Sequence, residues 1–241
     1  MTSHQRSPLC VALDTPDLKR AASLAKTLRG SVGWLKVGLE FISANGPDGI
    51  RAMVKTGVPV FADVKLHDIP NTVAGAARAI SQLGASMINV HAAGGEGMLR
   101  AAVEAAGKGN ARPKIVGVTV LTSLGQSDLA ATGIIGTPLE QVVRLAKLCH
   151  ECKLDGVVCS PHEIAAVREA CGPNFLIVTP GVRPKGWALG DQKRVMTPGE
   201  ARRAGADILV VGRPITEAPD PAAAARAIAD EARETTSPRR A

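Results

Sequence analysis

The residue types best suited to chemistry in this chain are concentrated between positions 61 and 72, at the end of an apolar run typical of a strand. This stretch contains Asp63, Lys65 and Asp68. Residues two apart in an extended strand face the same side, so we expect Asp63 and Lys65 to project together. Pro70 forces the chain out of the strand and puts Asp68 in the adjoining loop. Charged groups that converge at one strand end are costly to bury, and they indicate a functional site rather than scaffold.

The elements that must position these groups alternate regularly between strand-like and helix-like segments. The predicted strands are residues 9–13, 34–39, 58–64, 86–90, 114–120, 156–159, 175–179 and 207–211. The predicted helices are residues 18–28, 72–83, 98–106, 139–152, 161–170 and 222–234, with a weaker helix at 42–56, and helix stops at Gly30, Gly84, Gly107 and Gly172. This α/β alternation within 241 residues favours a single-domain (β/α)8 TIM barrel over an open sheet. We expect the barrel to span residues 1–234 and residues 235–241 to form a flexible basic tail.

Ligands of such a barrel bind at the carboxyl ends of its strands, and polar residues collect there in this sequence. Besides the 63–68 stretch, the residues that end or follow predicted strands are Asp14, Lys36, His91, Thr122, Ser123, Arg183 and Arg213. The starts of the same predicted strands carry few polar residues. Independent structural charges need not share one end, so their common position favours a single site. For His91 itself we favour a packing role over a catalytic one.

The pair Gly212-Arg213 after the eighth predicted strand indicates a phosphate site. Glycine lets backbone N–H groups approach a ligand, and arginine supplies a fork that matches phosphate oxygens. The loops after strands seven and eight are the usual phosphate site of this fold. Gln192 is expected to add a donor from the loop at 181–197, whose length indicates a lid. The Gly-rich segment 94–97 lacks the third glycine of a dinucleotide loop and is interpreted as a tight turn.

Composition narrows the choice of partners and location. The net charge is +7, but the basic residues are scattered and aromatic residues make up only 2%. This distribution suits a small anionic metabolite better than nucleic acid. No stretch is apolar enough for a signal peptide or a membrane span, so we expect no membrane association and a cytoplasmic location. Cys149 and Cys152 form a CxxC without a second pair at metal-ligand spacing, so we expect reduced, partly buried thiols and no metal site.

The segment Asp63-Val64-Lys65-Leu66-His67-Asp68-Ile69-Pro70-Asn71-Thr72 closely resembles the DxKxxDIPNT signature of the orotidine 5′-phosphate decarboxylase family. Further segments resemble the family's blocks in the right order over nearly the whole chain. They lie at 11–14, 34–38, 89–92, 121–123, 179–184, 191–194 and 211–215. The resemblance implies a (β/α)8 homodimer without a cofactor that converts orotidine 5′-phosphate (OMP) to UMP and carbon dioxide in de novo pyrimidine synthesis.

The resemblance also implies roles for individual residues. Lys65 is expected to donate a proton to C6 of the pyrimidine, with Asp63 against the departing carboxylate. Lys36 and Asp68 are expected to complete an alternating charged array. The residues expected to bind substrate are Asp14 and Lys36 at the ribose, Thr122 at the pyrimidine, Arg183, Gln192, Gly212 and Arg213 at the phosphate, and Pro180 beside them. Asp68, Ile69 and Thr72 are expected to reach into the partner subunit's site.

Two alternatives remain open at the level of sequence. The first is a related decarboxylase or aldolase that acts on a sugar phosphate with a bound Mg2+, for which Glu40 is a conceivable ligand, although the nearby Lys36 argues against a cation. The second is a nucleotide or RNA binder without enzymatic activity that uses the basic surface. The scarcity of aromatic residues argues against the second.

Overall fold

Eight parallel strands form a closed barrel in a computed structural model that describes residues 7–109, 112–184 and 196–234. Neighbouring strands pair in chain order, and β8 pairs with β1 to close the barrel. The strands are β1 (Leu9–Ala12), β2 (Trp34–Val37), β3 (Val60–Leu66), β4 (Met87–His91), β5 (Lys114–Val118), β6 (Gly156–Val158), β7 (Leu176–Thr179) and β8 (Ile208–Val211). The predicted (β/α)8 fold is confirmed, and the predicted basic tail at 235–241 lies outside the described ranges.

Helices connect the strands on the outside of the barrel. They are α1 (Leu18–Leu28), α2 (Leu39–Val54), α3 (Pro70–Gln82), α4 (Gly95–Ala105), α5 (Gln126–Ala131), α6 (Pro138–Glu151), α7 (Ile164–Cys171), α8 (Pro198–Ala204), α9 (Arg213–Thr216) and α10 (Pro221–Glu234). The sequence pattern did not predict α5, α8 or α9, which are too short for a clear helical period. It started the second helix too late, because α2 begins at Leu39 and continues through a non-helical Gly46 and Pro47. Within the described residues, no helix is long and apolar enough to cross a bilayer.

Local signals in the sequence explain where several helices begin and end. The Asp17 carboxylate accepts the backbone N–H groups of Lys19 and Arg20 and caps α1. A reciprocal capping box joins Thr137 and Glu140 at the start of α6. The four glycines predicted to end helices all adopt positive φ, with values of 88° at Gly30, Gly84 and Gly107 and 81° at Gly172. Glycine adopts this conformation without the steric cost that a Cβ would add.

The core has two layers that follow the alternation of side chains along the strands. One layer lies between the strands and the surrounding helices. The other fills the barrel interior with Cys10, Ala12, Trp34, Phe61, Met87, Val116, Val178, Ile208 and Val210. Because Trp34 points into the barrel, Lys36 two residues later does so as well, one layer closer to the carboxyl end.

The opposite, amino end of the barrel is held by two ion pairs that the sequence did not indicate. Asp155, just before β6, accepts two hydrogen bonds from the guanidinium of Arg112 at 2.8 and 2.9 Å. Asp207, just before β8, accepts a hydrogen bond from Arg168 at 2.6 Å and another from the backbone N–H of Ile177. The strand starts therefore carry more charge than expected. Asp155 also accepts the backbone N–H of Ile115, so each carboxylate bonds to the backbone of the neighbouring strand.

Candidate active site

The carboxyl ends of the strands surround a cavity of about 580 Å³. Most of the site residues predicted from the sequence line this cavity. They are Asp14, Lys36, Asp63, Lys65, Thr122, Pro180, Arg183, Gly212 and Arg213. The side chains come from the ends of several different strands, which is the arrangement of (β/α)8-barrel active sites.

Four side chains of alternating charge form a continuous chain of ion pairs across the cavity. The ammonium Nζ of Lys36 lies 3.1 Å from Asp14 Oδ1 and 3.1 Å from Asp63 Oδ2. The ammonium of Lys65 lies 2.6 Å from Asp63 Oδ1. Asp63 therefore lies between two ammonium groups, each on a different carboxylate oxygen. The array within one chain is Asp14–Lys36–Asp63–Lys65. The expected contribution of Asp68 from a partner subunit stays a prediction.

Burial makes these contacts strong and shifts the acid–base behaviour of the central pair. The side chains of Lys36 and Asp63 are only 11% and 12% exposed. Burial by itself would raise the pKa of Asp63, but the charges of Lys36 and Lys65 and the hydrogen bonds from Lys65 and Asn89 outweigh it and lower that pKa. Burial would likewise lower the pKa of Lys36, but Asp63 and Asp14 raise it. Both groups stay charged over the neutral range.

Gly38 leaves the space in which the Asp14–Lys36 pair forms. A Cβ at this position would lie 3.1 Å from Lys36 Nζ and 3.2 Å from Asp14 Oδ1. Any larger residue would have to displace one partner of that pair.

Lys65 and Asp63 are brought together by a bulge and not by the extended strand that the sequence pattern suggested. The pairing of β3 with β4 shifts between Ala62 and Leu66, and the backbone of Lys65 has φ 51°. The sequence pattern correctly predicted that Asp63 and Lys65 project together. The extended backbone that it predicted between them was wrong. Only the pairing with β4 defines this bulge, so it could not be deduced from the local sequence.

Asn89 on β4 contacts both Asp63 and Lys65, and the sequence analysis assigned it no role. It is 1% exposed, and its Nδ2 donates a hydrogen bond of 2.7 Å to Asp63 Oδ1. Its Oδ1 accepts the backbone N–H of Lys65 at 2.8 Å. An amide between the buried apolar residues Ile88 and Val90 was the available signal, because a buried amide must find partners.

His91 and His67 stack beside this cluster, with ring centroids 5.3 Å apart and planes inclined by 30°. Burial, followed by the neighbouring His67 and Lys65, lowers the pKa of His91. Neither ring lines the cavity. This position agrees with the packing role expected for His91.

Three of the phosphate candidates, Arg183, Gly212 and Arg213, line the cavity after β7 and β8. Gly212 precedes α9, and Arg213 is its first residue. Arg183 follows β7 by a turn at Gly181, which has φ 76°. Gln192 and most of the proposed lid at 181–197 lie outside the described residues, so their placement stays a prediction.

Asp68, Ile69 and Thr72 do not line the cavity of their own chain. All three are exposed, and Ile69 is 67% exposed. Asp68 accepts the backbone N–H of its neighbour Ile69 at 2.7 Å. Asp68 is thus not part of the charged array within one chain, because the loop after β3 carries it out onto the rim.

Other candidate chemistry is not supported by the geometry. All five cysteines are free and buried, and burial raises the pKa of Cys149 to about 12. Within the described parts of the chain, no group of three or more His, Cys, Asp or Glu side chains could hold a metal ion. Glu40, the conceivable Mg2+ ligand, is exposed on α2 and is not among the cavity residues.

The closed parallel barrel and the charged cavity at its carboxyl end define a (β/α)8-barrel enzyme. A family model described as orotidine 5′-phosphate decarboxylase / HUMPS family matches residues 7–228. The chain belongs to that family and is an enzyme of the decarboxylase class.

Individual relatives agree with this assignment over almost their full lengths. An orotidine 5′-phosphate decarboxylase of Moorella thermoacetica is 57% identical over 234 residues, which cover 95% of this chain and 93% of the relative. One from Paramagnetospirillum magneticum is 51% identical over 230 residues, which cover 93% of this chain and 98% of the relative. The crystal structure of the enzyme from Lactobacillus acidophilus superposes with a TM-score of 0.84 at 37% identity, and the match covers 94% of this chain and 99% of that one.

Proposed function

We propose that this enzyme decarboxylates orotidine 5′-phosphate to UMP and carbon dioxide in pyrimidine biosynthesis, without a cofactor. The observation that carries the proposal is the Asp14–Lys36–Asp63–Lys65 array in a cavity that is also lined by Arg183 and Arg213, which follow β7 and β8. The array suits a reaction that develops negative charge, and the arginines suit a phosphate.

In the proposed reaction, the bond between C6 and the carboxyl carbon breaks, and its electron pair stays on C6. Lys65 then donates a proton to C6 and is left as a neutral amine, which regains a proton from solvent. An ammonium about 4 Å from a unit negative charge stabilises it by roughly 4 kcal/mol at an effective dielectric of about 20. That energy corresponds to about a thousandfold in rate. The electrostatics of Lys65 would thus contribute an important part of the rate enhancement, though not all of it.

Asp63 is proposed to lie beside the substrate carboxylate and to orient the Lys65 ammonium. Its Oδ1 already accepts a 2.6 Å hydrogen bond from Lys65, which supports the orienting role. Repulsion between Asp63 and the departing carboxylate would contribute at most a similar few kcal/mol. Enzymes typically lower barriers by about 8–23 kcal/mol, so positioning and remote binding energy must supply the remainder.

The phosphate is the proposed source of that remote binding energy. Arg213, Arg183, Gln192 and the backbone at Gly212 are proposed to bind it, with the loop at 181–197 closing over it. A non-reacting group held in this way fixes the base against Lys65 throughout the reaction. Asp14 and Lys36 are proposed to bind ribose hydroxyls, and Thr122 the pyrimidine, beside Pro180. Their common cavity supports these assignments.

A homodimer is part of the proposal, with Asp68, Ile69 and Thr72 entering the partner subunit's site. The exposure of these residues on the rim of the cavity end supports it, and burying the Ile69 side chain would be favourable. Asp68 would then extend the charged array across the interface. A cytoplasmic location, without nucleic-acid or membrane partners, is also proposed.

The sugar-phosphate alternative requires Mg2+, and the Lys36 ammonium takes the place between Asp14 and Asp63 where such a cation would bind. The two reactions are separated by one experiment. Loss of OMP is followed by absorbance with and without EDTA, for the parent enzyme and a Lys65→Ala variant. We expect turnover that is unaffected by EDTA and abolished by the substitution. Absence of OMP turnover, or its loss with EDTA, would refute the proposal.

A further inference from the structure

The bulge in β3 has a single side chain opposite it. Phe61 and Ala62 pair with Met87 and Ile88, and pairing resumes only at Leu66 with Val90. Residues 63–65 therefore stand opposite Asn89 alone. Four residue steps on β3 cover the length of two on β4, about 6.6 Å for regular strand. This compression brings residue 65 close to residue 63.

The compressed backbone is unfavourable by itself. Lys65 has φ 51°, a conformation that a residue with a Cβ rarely adopts and that persists only when its surroundings impose it. The shift in pairing also removes the Lys65 N–H from the regular ladder between β3 and β4. A buried N–H without an acceptor is costly. The positive φ of Lys65 and its N–H outside the ladder therefore both require a partner that is not part of the backbone ladder.

The Asn89 amide meets both requirements at once. Its Oδ1 accepts the Lys65 N–H at 2.8 Å, and its Nδ2 donates to Asp63 Oδ1 at 2.7 Å. The same Asp63 oxygen accepts the Lys65 ammonium at 2.6 Å. One amide therefore ties the backbone of Lys65 to the carboxylate that holds its side chain. Because Asn89 is only 1% exposed, water does not replace these bonds.

We propose that Asn89 is a positioning residue, which holds Lys65 in its left-handed conformation so that the ammonium points at the reacting carbon. The inference rests on the proposed decarboxylation and adds a residue to its machinery. Asn89 also lines the cavity, but its amide oxygen and nitrogen are hydrogen-bonded to Lys65 and Asp63, and we infer that it acts through them. Substitution of Asn89 should lower kcat much more than it changes KM, because the arginines proposed to bind the phosphate are unchanged.

Two substitutions distinguish positioning from simple loss of packing. Asn89→Leu keeps the approximate volume but removes both the donor and the acceptor. A misplacement of about 1 Å costs about 100-fold, so we expect kcat to fall by about that factor at every pH. Asn89→Asp can mimic the amide only while its carboxyl is protonated, since the acid O–H can then donate to Asp63.

The introduced carboxyl would face Asp63 and Lys65 on β3, and the apolar Val116 pairs with its position on β5. Lys36 on β2 contacts the other oxygen of Asp63 at 3.1 Å. Burial and the adjacent Asp63 favour its protonated form at mildly acid pH. The kcat of Asn89→Asp relative to the parent should therefore rise at least about tenfold between pH 8 and pH 5.5. The ratio for Asn89→Leu should stay flat.

Thr119→Val is the matched control, because it also removes a buried hydrogen bond at this end of the barrel, from Thr119 Oγ1 to the Val158 carbonyl at 2.8 Å. It should lower Tm while leaving kcat and its pH profile at the parent values. An Asn89→Leu kcat within about twofold of the parent, or a flat Asn89→Asp ratio, would overturn the inference. If Asn89→Leu does not fold, the pH dependence of the Asn89→Asp kcat relative to the parent tests the inference by itself.

A structural measurement keeps this test separate from the proposed reaction. A crystal structure of Asn89→Leu should show residue 65 at negative φ with its ammonium away from Asp63. Retention of the left-handed conformation would overturn the inference whatever the substrate is. A parent enzyme that fails to turn over OMP would instead refute the proposed function.

Discussion

The ammonium of Lys65 lies 2.6 Å from Oδ1 of Asp63, across a bulged segment of one strand. The same carboxylate binds Lys36 through its other oxygen at 3.1 Å. Removal of one member of a paired, partly buried array leaves the others uncompensated, so the array behaves as a unit. The Asp63 carboxylate at its centre therefore determines the position of the Lys65 ammonium.

Lys65→Ala should leave a folded enzyme with decarboxylation near the detection limit. The loss of the ammonium removes both the proton donor and the charge opposite C6, and the charge alone is worth about a thousandfold. Steady-state absorbance measures the effect, and circular dichroism checks the fold. Lys114→Ala, at an exposed lysine at the amino end of β5, should retain the parent rate. Appreciable turnover by Lys65→Ala would mean that another group donates the proton.

Arg213→Ala should lower kcat/KM for OMP by about 10- to 100-fold, the loss expected for charge-assisted hydrogen bonds to a phosphate. The charged array should be unaffected. Orotidine, which lacks the phosphate, provides the control substrate, because its slow turnover should be the same in the parent and the variant. An unchanged kcat/KM for OMP, or an equal loss with both substrates, would contradict the phosphate assignment.

The sequence predicted the barrel because its signals are local and repeated. Eight apolar runs alternate with helical segments, and the glycines at 30, 84, 107 and 172 mark helix ends by a conformation that needs no distant partner. The cavity residues were also predictable, since the carboxyl ends of parallel strands meet at one face of the barrel. Features set by chain order and side-chain alternation were therefore accessible without coordinates.

The details that the sequence did not predict depend on contacts between distant residues. The bulge at Lys65 requires the register with β4, and the role of Asn89 depends on partners 24 and 26 residues away. Asp155 and Asp207 find their arginines 43 and 39 residues away. The short α9 has four residues, too few for a hydrophobic period. Contacts between residues far apart in the sequence determine the bulge, the hydrogen bonds of Asn89 and the two ion pairs.

Asp207→Ala should destabilise the barrel without changing kcat or KM. The Asp207 side chain is 15% exposed, and Arg168 also donates to the carbonyls of Gly172, Phe175 and Gly205. Breaking a buried pair of this kind costs about 3 kcal/mol or more in the free energy of unfolding, which urea titration measures. Asp230→Ala, at a 61% exposed member of a helical ion pair, should cost less than about 1 kcal/mol. Equal losses from the two substitutions would contradict the argument.

His91 should make the folded state less stable in mild acid. Burial, His67 and Lys65 lower its pKa below the usual value near 6.5, so the unfolded chain binds more protons as the pH falls. The stabilisation is complete above about pH 6.5 and is lost as the pH falls through the lowered pKa of the folded state. His91→Asn should therefore lose less stability than the parent between pH 7.5 and 5.5 in urea unfolding. Equal losses of stability in the parent and in His91→Asn over this range would contradict the argument.

Mixing two inactive variants should restore activity if each site combines Lys65 from one subunit with Asp68 from the other. Asp68 is exposed in the single chain and does not line its own cavity, so the two residues have no direct contact there. In a hybrid dimer of Lys65→Ala and Asp68→Ala, one site carries both substitutions and the other carries neither. Random exchange makes about half of the dimers hybrid, so the mixture should recover about a quarter of the parent rate. Lys65→Ala mixed with a Lys65→Ala, Asp68→Ala double variant is the control and should stay inactive. A mixture that exchanges subunits, as labelled chains would show, but remains inactive would mean that Asp68 acts within its own subunit.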